Sequence, residues 1–247
     1  MGCAPADYRV GSPEFVIENS LAQDKLAYYN DRFDTLREDL WGKSAPASQS
    51  QALNFKLADM GIENGEFKVV TKTGSFSTGG LVSKYKLRGD FDVQVDCHID
   101  FLDGVQDMDQ VLYFVVMEQG VPFSLSHSVY IGVNKAKGED KSFISTGYRE
   151  KGRRHFGDWH QIGNFHGTFR IVRKGNKIST LYKKDGETGW KKMNTFQSTT
   201  NNLVLNFGLT NYAMGKPRYV ITANSPISAR FDNFIINAAQ GVLEEEI

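Results

Sequence analysis

Residues 90–101 alternate polar and apolar side chains without a break, and a period of two over that length is the signature of a long β-strand with two unlike faces. Phe91, Val93, Val95, Cys97, Ile99 and Phe101 form an apolar stripe that has to be covered, while Asp90, Asp92, Gln94, Asp96, His98 and Asp100 form a polar one. The fold must therefore place a second layer against this strand.

Strand periods recur around Phe67 and Val69 and over residues 81–88, 111–117, 128–134, 142–148, 168–174, 177–183, 203–210, 218–223 and 230–237. Gly175-Asn176 sits between two alternating runs and predicts a tight hairpin, and Gly89-Asp90 reads as a turn leading into the long strand. Residues 111–117, Val-Leu-Tyr-Phe-Val-Val-Met, are apolar on both faces, as a central strand is when a second sheet or a ligand groove covers each side. Only residues 20–29 suggest a helix, with Ser20 and Gln23 in capping-box positions. With 24 glycines to make turns, the prediction is an all-β, two-sheet antiparallel sandwich with a short N-terminal helix.

The 247 residues suit one sandwich domain, since such folds run to about 200–250 residues as a single unit. Gly-Ser-Pro-Glu-Phe at residues 11–15 reads like a translated cloning site, so residues 1–15 are set apart as a leader and one domain is expected over 16–247, its core at about 30–238. The 29 basic and 29 acidic side chains cancel, which removes the overall field that draws a protein to nucleic acid. No run reaches the roughly 18–20 apolar residues of a membrane span. Cys3 lies in the leader and Cys97 on the apolar stripe, so no disulfide between them is expected.

Three segments taken together resemble the concanavalin A-like lectin/glucanase superfamily, laminin G-like modules included. They are Asn-Asp-Arg-Phe-Asp-Thr-Leu-Arg-Glu-Asp-Leu-Trp at residues 30–41, Gly-Gly-Leu-Val-Ser-Lys-Tyr-Lys-Leu-Arg-Gly-Asp-Phe-Asp-Val-Gln-Val-Asp at 79–96, and Ala-Arg-Phe-Asp-Asn-Phe-Ile-Ile-Asn at 229–237. The resemblance implies a jelly roll whose concave sheet or rim holds a glycan or polysaccharide, in a periplasmic or extracellular setting with any signal peptide already removed. The glutamate, aspartate, glutamate alternation of laminarinase-type hydrolases is missing, and its nearest counterpart, residues 94–98, offers Gln94 and His98 in place of the glutamates. An amide serves neither as nucleophile nor as general acid. The expected function is thus a non-catalytic carbohydrate-binding or adhesion-type module. The alternatives are a glycan-processing enzyme, hydrolase or lyase, and an assembly protein without a small ligand.

Each function has its candidate residues. For an enzyme they are Asp92, Asp96 and His98 on the polar stripe, whose successive positions lie about 6.5–7 Å apart, the scale of spacing that a two-carboxylate mechanism uses. The same row also reads as a plain solvent face. For binding they are Tyr148, Arg153, Asp158 and Trp159, with Asp96 and His98, since aromatic faces stack on sugar rings while polar groups bond the hydroxyls. Residues 155–166, which hold three histidines and three aromatics, read as the sugar-contacting loop, and their spacing matches no zinc motif. Calcium-dependent relatives imply a structural calcium ion as the candidate cofactor, with Asp232, Asp34 and Asp31 as its ligands; hydrogen bonding without metal is the other reading of Asp232. The cluster Arg149, Lys151, Arg153 and Arg154 reads as a solvated charge run.

Overall fold

The structure, a computed structural model, describes residues 7–8, 16–44, 55–104, 108–121, 125–212 and 223–244. In chain order the elements are β1 (Asp7–Tyr8), α1 (Gln23–Ala27), β2 (Trp41–Lys43), β3 (Phe55–Leu57), β4 (Asp59–Glu63), β5 (Glu66–Val70), β6 (Phe76–Ser83), β7 (Tyr85–Ile99) and β8 (Asp109–Met117). They continue with β9 (Ser128–Lys135), β10 (Ser142–Glu150), β11 (Arg153–Gln161), β12 (Phe165–Lys174), β13 (Lys177–Lys184), β14 (Trp190–Gln197), β15 (Val204–Tyr212) and β16 (Ser228–Glu244). The first sheet runs β1-β14-β13-β12-β7-β16-β5-β4, and the second runs β11-β10-β9-β8-β15-β6-β2, with β3 also paired to β6. Pairing is antiparallel except for β3 on β6, which is parallel.

The long alternating strand is β7, in the middle of the first sheet between β12 and β16. Its apolar stripe turns inward, with Phe91, Val93, Val95 and Cys97 fully buried, and Cys97 is a free thiol. Across the core, Leu112, Phe114 and Val116 of β8 and Leu205, Phe207 and Leu209 of β15 line the second sheet, none of them exposed to solvent. Phe207 is the hub, with ring contacts to Phe67, Phe231 and Phe234 of the opposite sheet and to Trp41. Such interlocked rings contribute more than their buried area alone.

Several local expectations change. Ser20 caps no helix: its hydroxyl accepts the Ala239 N–H of β16, and α1 starts only at Gln23 without a side-chain cap. Gly89 makes no turn; it lies within β7 at φ +67°, a left-handed value that glycine tolerates, where β16 slips register and the Gln240 side chain accepts the Asp90 N–H. The break falls instead at Lys84, where the chain crosses from the second sheet to the first. The hairpin at Gly175-Asn176 forms as expected, with Lys174 opposite Lys177. Residues 155–161, expected as a loop, belong to the edge strand β11, and most of the strand expected over 218–223 lies outside the described residues.

Candidate functional site

The polar row of β7 lies on the outer face of the first sheet and is tied up there. Arg170 of β12 donates through Nε and Nη2 to the two oxygens of Asp92, both side chains are almost fully buried, and Asn237 adds a further bond to Asp92 Oδ1. Arg170 also lies 5.1 Å from the ring centre of Trp190, and Trp190 joins Ile17, Val172 and Leu181 in a small apolar cap over this face. Asp96 accepts from Thr168 Oγ1 at 2.6 Å and Asn233 Nδ2 at 3.1 Å. His98 faces Glu66 and Asp185 at 3.6–3.8 Å, with its ring 5.2 Å from that of His166. Asp92 is withdrawn from solvent and Asp96 is held by neutral donors, so the row works as a structural network.

The three carboxylates expected to hold calcium do not gather. Asp31 turns inward and accepts the Phe33 N–H at 2.7 Å and the Trp41 indole N–H at 2.8 Å. Asp34 stays exposed, near enough to Asp232 to act on it. Burial, with smaller pushes from Asp96, Glu66 and Asp34, raises the pKa of Asp232, whose oxygens accept from the backbone and side chain of Asn233. Among the described residues no group of three His, Cys, Asp or Glu side chains is arranged for a metal.

The outer face of the second sheet has the opposite character. Strand register aligns Gly80, Gly208, Tyr113, Gly132, Ser145 and Trp159 in one row across six strands, about 24 Å at the usual strand spacing. The next row places Asn206, Val115, Tyr130, Gly147 and Phe156 side by side. The glycines are the space that the rings need. A Cβ on Gly208 would meet the Tyr113 hydroxyl at 2.9 Å, and one on Gly147 would meet the Tyr130 hydroxyl at 2.7 Å, so the two tyrosines lie flat over their neighbours, pointing away from each other. Burial raises the pKa of Tyr113, against the smaller lowering effects of Thr78 and Ser44.

At the β11 edge one extra residue decides what is presented. Phe156 and Trp159 are three apart, a spacing that sends side chains to opposite faces of a regular strand. Here Ser145 pairs with Trp159 and Gly147 with Phe156, so β11 carries a bulge that returns both rings to the outer face. The bulge is anchored to β14: the Asp158 N–H donates to Asn194 Oδ1 at 2.7 Å, Asn194 Nδ2 donates to Asp158 Oδ2, and a Cβ on Gly157 would strike Asn194 and Phe196. Trp159 is 64% exposed and Phe156 72%, and Phe143 meets Trp159 edge-on at 5.0 Å. The Arg154 guanidinium lies 5.0 Å from the Tyr130 ring centre and 4.9 Å from that of Phe156, and it donates to the Tyr130 hydroxyl.

Of the residues expected to bind sugar, Trp159 is on this face. Tyr148 is on the inner side, stacked on His155 at 4.5 Å and against Phe196. Asp158 is engaged by Asn194, Arg153 shares the inward alternation of His155, and Asp96 and His98 belong to the other sheet. Sequence reasoning missed Tyr113, Tyr130 and Phe143 as members of this face; Phe156 fell unnamed within the expected sugar-contacting segment 155–166, and Arg149 and Arg154 within the expected charge run. The signal available for some of them was the apolar outer side of residues 111–117, which had been read as covered by a sheet or a groove.

No protein-family model matches the chain, and no curated protein matches it. Solved structures do. A non-specific endo-β-1,3(4)-glucanase of family GH16 superposes with a TM-score of 0.63 at 12% identity, over 98% of this chain and 96% of the other. A β-glucanase of Bacillus licheniformis gives 0.60 at 16% identity, over 84% and 96%. A pseudo β-1,3-glucanase and immunostimulatory antigen of Mycobacterium tuberculosis gives 0.56 at 10% identity, over 88% and 98%. At these identities the likeness is one of fold: the chain is a concanavalin A-like jelly roll, a two-sheet sandwich built as these glucanases are.

Proposed function

We propose that this chain binds a carbohydrate on the outer face of its second sheet and does so without two-carboxylate hydrolysis. The observation that carries the reading is the β11 bulge, which brings Phe156 and Trp159 onto the same face as Tyr130 and Phe143, at the end of a row cleared by glycines. Exposed rings near Asn134 and Ser145 suit a sugar, whose ring faces stack while its hydroxyls take hydrogen bonds. A glycosidase needs two carboxyls about 5–9.5 Å apart, and the positions of this face on β9 and β10 carry none. Polysaccharide binding fits an extracytoplasmic setting, and no helix among the described residues is long and apolar enough to cross a membrane.

The second reading is glycan processing, favoured by the glucanases among the structural neighbours, one of which is complexed with laminaritriose and laminaritetraose. One experiment separates the two. The chain is incubated with laminarin and with mixed-linkage β-glucan, and both retention on the polysaccharide and release of reducing ends are measured. Retention without release is expected. Release that disappears in Asp96→Asn would establish the enzyme reading, and absence of both would reject the two together.

A further inference from the structure

We propose that Arg173 seats a small monovalent anion of the halide class at the end of the sandwich, between β7, β12 and the segment before β15. Arg173 alternates inward with Phe169 and Ile171 on β12, opposite Phe91 of β7, and it is fully buried. Its guanidinium lies 4.8 Å from the centre of the Phe91 ring. Nε donates to the Gly89 carbonyl at 2.6 Å, where β16 slips register, and Nη1 donates to the Asn201 carbonyl at 2.5 Å. Nη2, equally buried, has no hydrogen-bond partner among the described residues.

A buried donor without an acceptor is rare in a folded protein, and a buried charge without a counter-charge is costlier still. Carbonyls satisfy hydrogen bonds but do not neutralise a guanidinium. The carboxylates at this end of the sandwich are committed elsewhere: Asp90 accepts the Gly175 N–H at 2.6 Å, and Glu118 accepts from Asn201 Nδ2 at 2.7 Å and from the His127 N–H at 2.8 Å. Burial lowers the pKa of Arg173 to about 10, against a smaller pull from Asp90, so the cation persists at neutral pH. Water at Nη2 would complete the hydrogen bond and leave the charge, whereas an anion answers both needs. Because solvent does not reach Nη2, a single-atom ion suits the enclosure better than a carboxylate or a phosphate. Asn201 joins Arg173 to Glu118 just beyond the end of β8, so an ion seated here braces the two sheets against each other.

The test is the melting temperature of the full chain in sodium chloride, sodium bromide and sodium gluconate at equal ionic strength, together with crystals grown in bromide for anomalous scattering. Chloride and bromide should each raise the melting temperature by about 5 °C over gluconate, saturating with concentration, as a ligand of the folded state does. Arg173→Met removes the charge and keeps an unbranched side chain over Phe91, and its melting temperature should be the same in the three salts. Bromide should scatter beside Nη2 of Arg173, and if Arg173→Met fails to fold, the bromide position decides alone. Equal melting of the unsubstituted chain in the three salts overturns the inference. So does a halide effect that persists in Arg173→Met, or bromide found at surface positions alone, the mark of an adventitious ion only.

Discussion

On the first sheet the outer face is closed by its own chemistry: Asp92 meets Arg170, Arg170 stacks on Trp190, Asp96 holds Thr168 and Asn233, and the segment from Ile17 lies across the top. On the second sheet the outer face is open at its chemistry. Trp159 and Phe156 stand mostly exposed, and glycines hold the positions between the rings. Both faces come from alternating strands, so alternation alone does not tell a site from a support. The difference lies in what the side chains find next to them. A carboxylate in an aspartate row on one strand meets donors on the neighbouring strands and is used up, whereas a ring beside a glycine keeps its face free for a ligand.

Breaking the closed face should have the largest effect. Asp92→Ala leaves the Arg170 guanidinium buried without its bidentate partner, and removing one side of a buried ion pair destabilises by about 3–5 kcal/mol. Urea unfolding should show this as a lower midpoint with an unchanged slope, while the residual folded protein binds carbohydrate normally. A small loss of stability together with loss of binding would place the site on the first sheet. Next in size comes Gly132→Ala, whose new Cβ would lie 2.5 Å from the Leu112 carbonyl oxygen and must push β8 and β9 apart. Overpacking of this kind costs about 1–3 kcal/mol. It should also weaken binding, because Gly132 lies between Tyr113 and Ser145 in the row that ends at Trp159.

Trp159→Ala is the reverse of Asp92→Ala. An exposed ring contributes little to folding, so stability should change by less than about 0.5 kcal/mol. Binding should fall about tenfold or more, as it does when an aromatic anchor is removed from an interface. Phe156→Ala should behave likewise, provided that the bulge survives. A double variant of Gly157→Ala with Asn194→Ala tests that proviso: if the anchor is what turns both rings outward, binding falls although neither ring has been touched.

Much of the fold was legible because hydrophobic alternation is a local signal. β8, β9, β10, β12, β13 and β15 all lie within a few residues of their sequence-predicted spans, and Gly175-Asn176 encodes its own hairpin. The site was less legible, for a physical reason. Phe156 and Trp159 share a face only because β11 takes one extra residue opposite β10, and that bulge is held by Asn194, which is 36 residues further along the chain. Read as a loop, the segment groups Trp159 with Asp158 and Tyr148, which face the other way. The capping box at Ser20 failed for the same kind of reason, since a backbone group 219 residues distant competes for its hydroxyl. Asp92 and Asp96 look like a catalytic pair until their partners on β12 and β16 are known.

The smallest effect concerns Asp232, where the closed face is least complete. Burial and three negative neighbours raise its pKa above the ordinary 3.8, so the folded state holds its proton more tightly than the unfolded chain does. The sign follows: the stabilisation is fully present below pH 3.8 and is lost as pH rises through the raised value, because the charged form is the penalised one. Asp232→Asn removes that penalty and should raise the melting temperature slightly at neutral pH, leaving the acid end of the profile unchanged, since the neutral amide resembles the protonated acid and still offers an oxygen to the Asn233 N–H. Melting curves of both proteins from pH 3 to pH 8, each recorded with calcium and with chelator, supply the measurement. Were a calcium ion seated on Asp232 and Asp34, its charge would reverse the balance: chelator would lower the melting temperature of the unsubstituted chain, and Asp232→Asn would destabilise at neutral pH. The closed face would then be a support completed by metal, and the contrast with the second sheet would rest on bound cation as well as on hydrogen bonds.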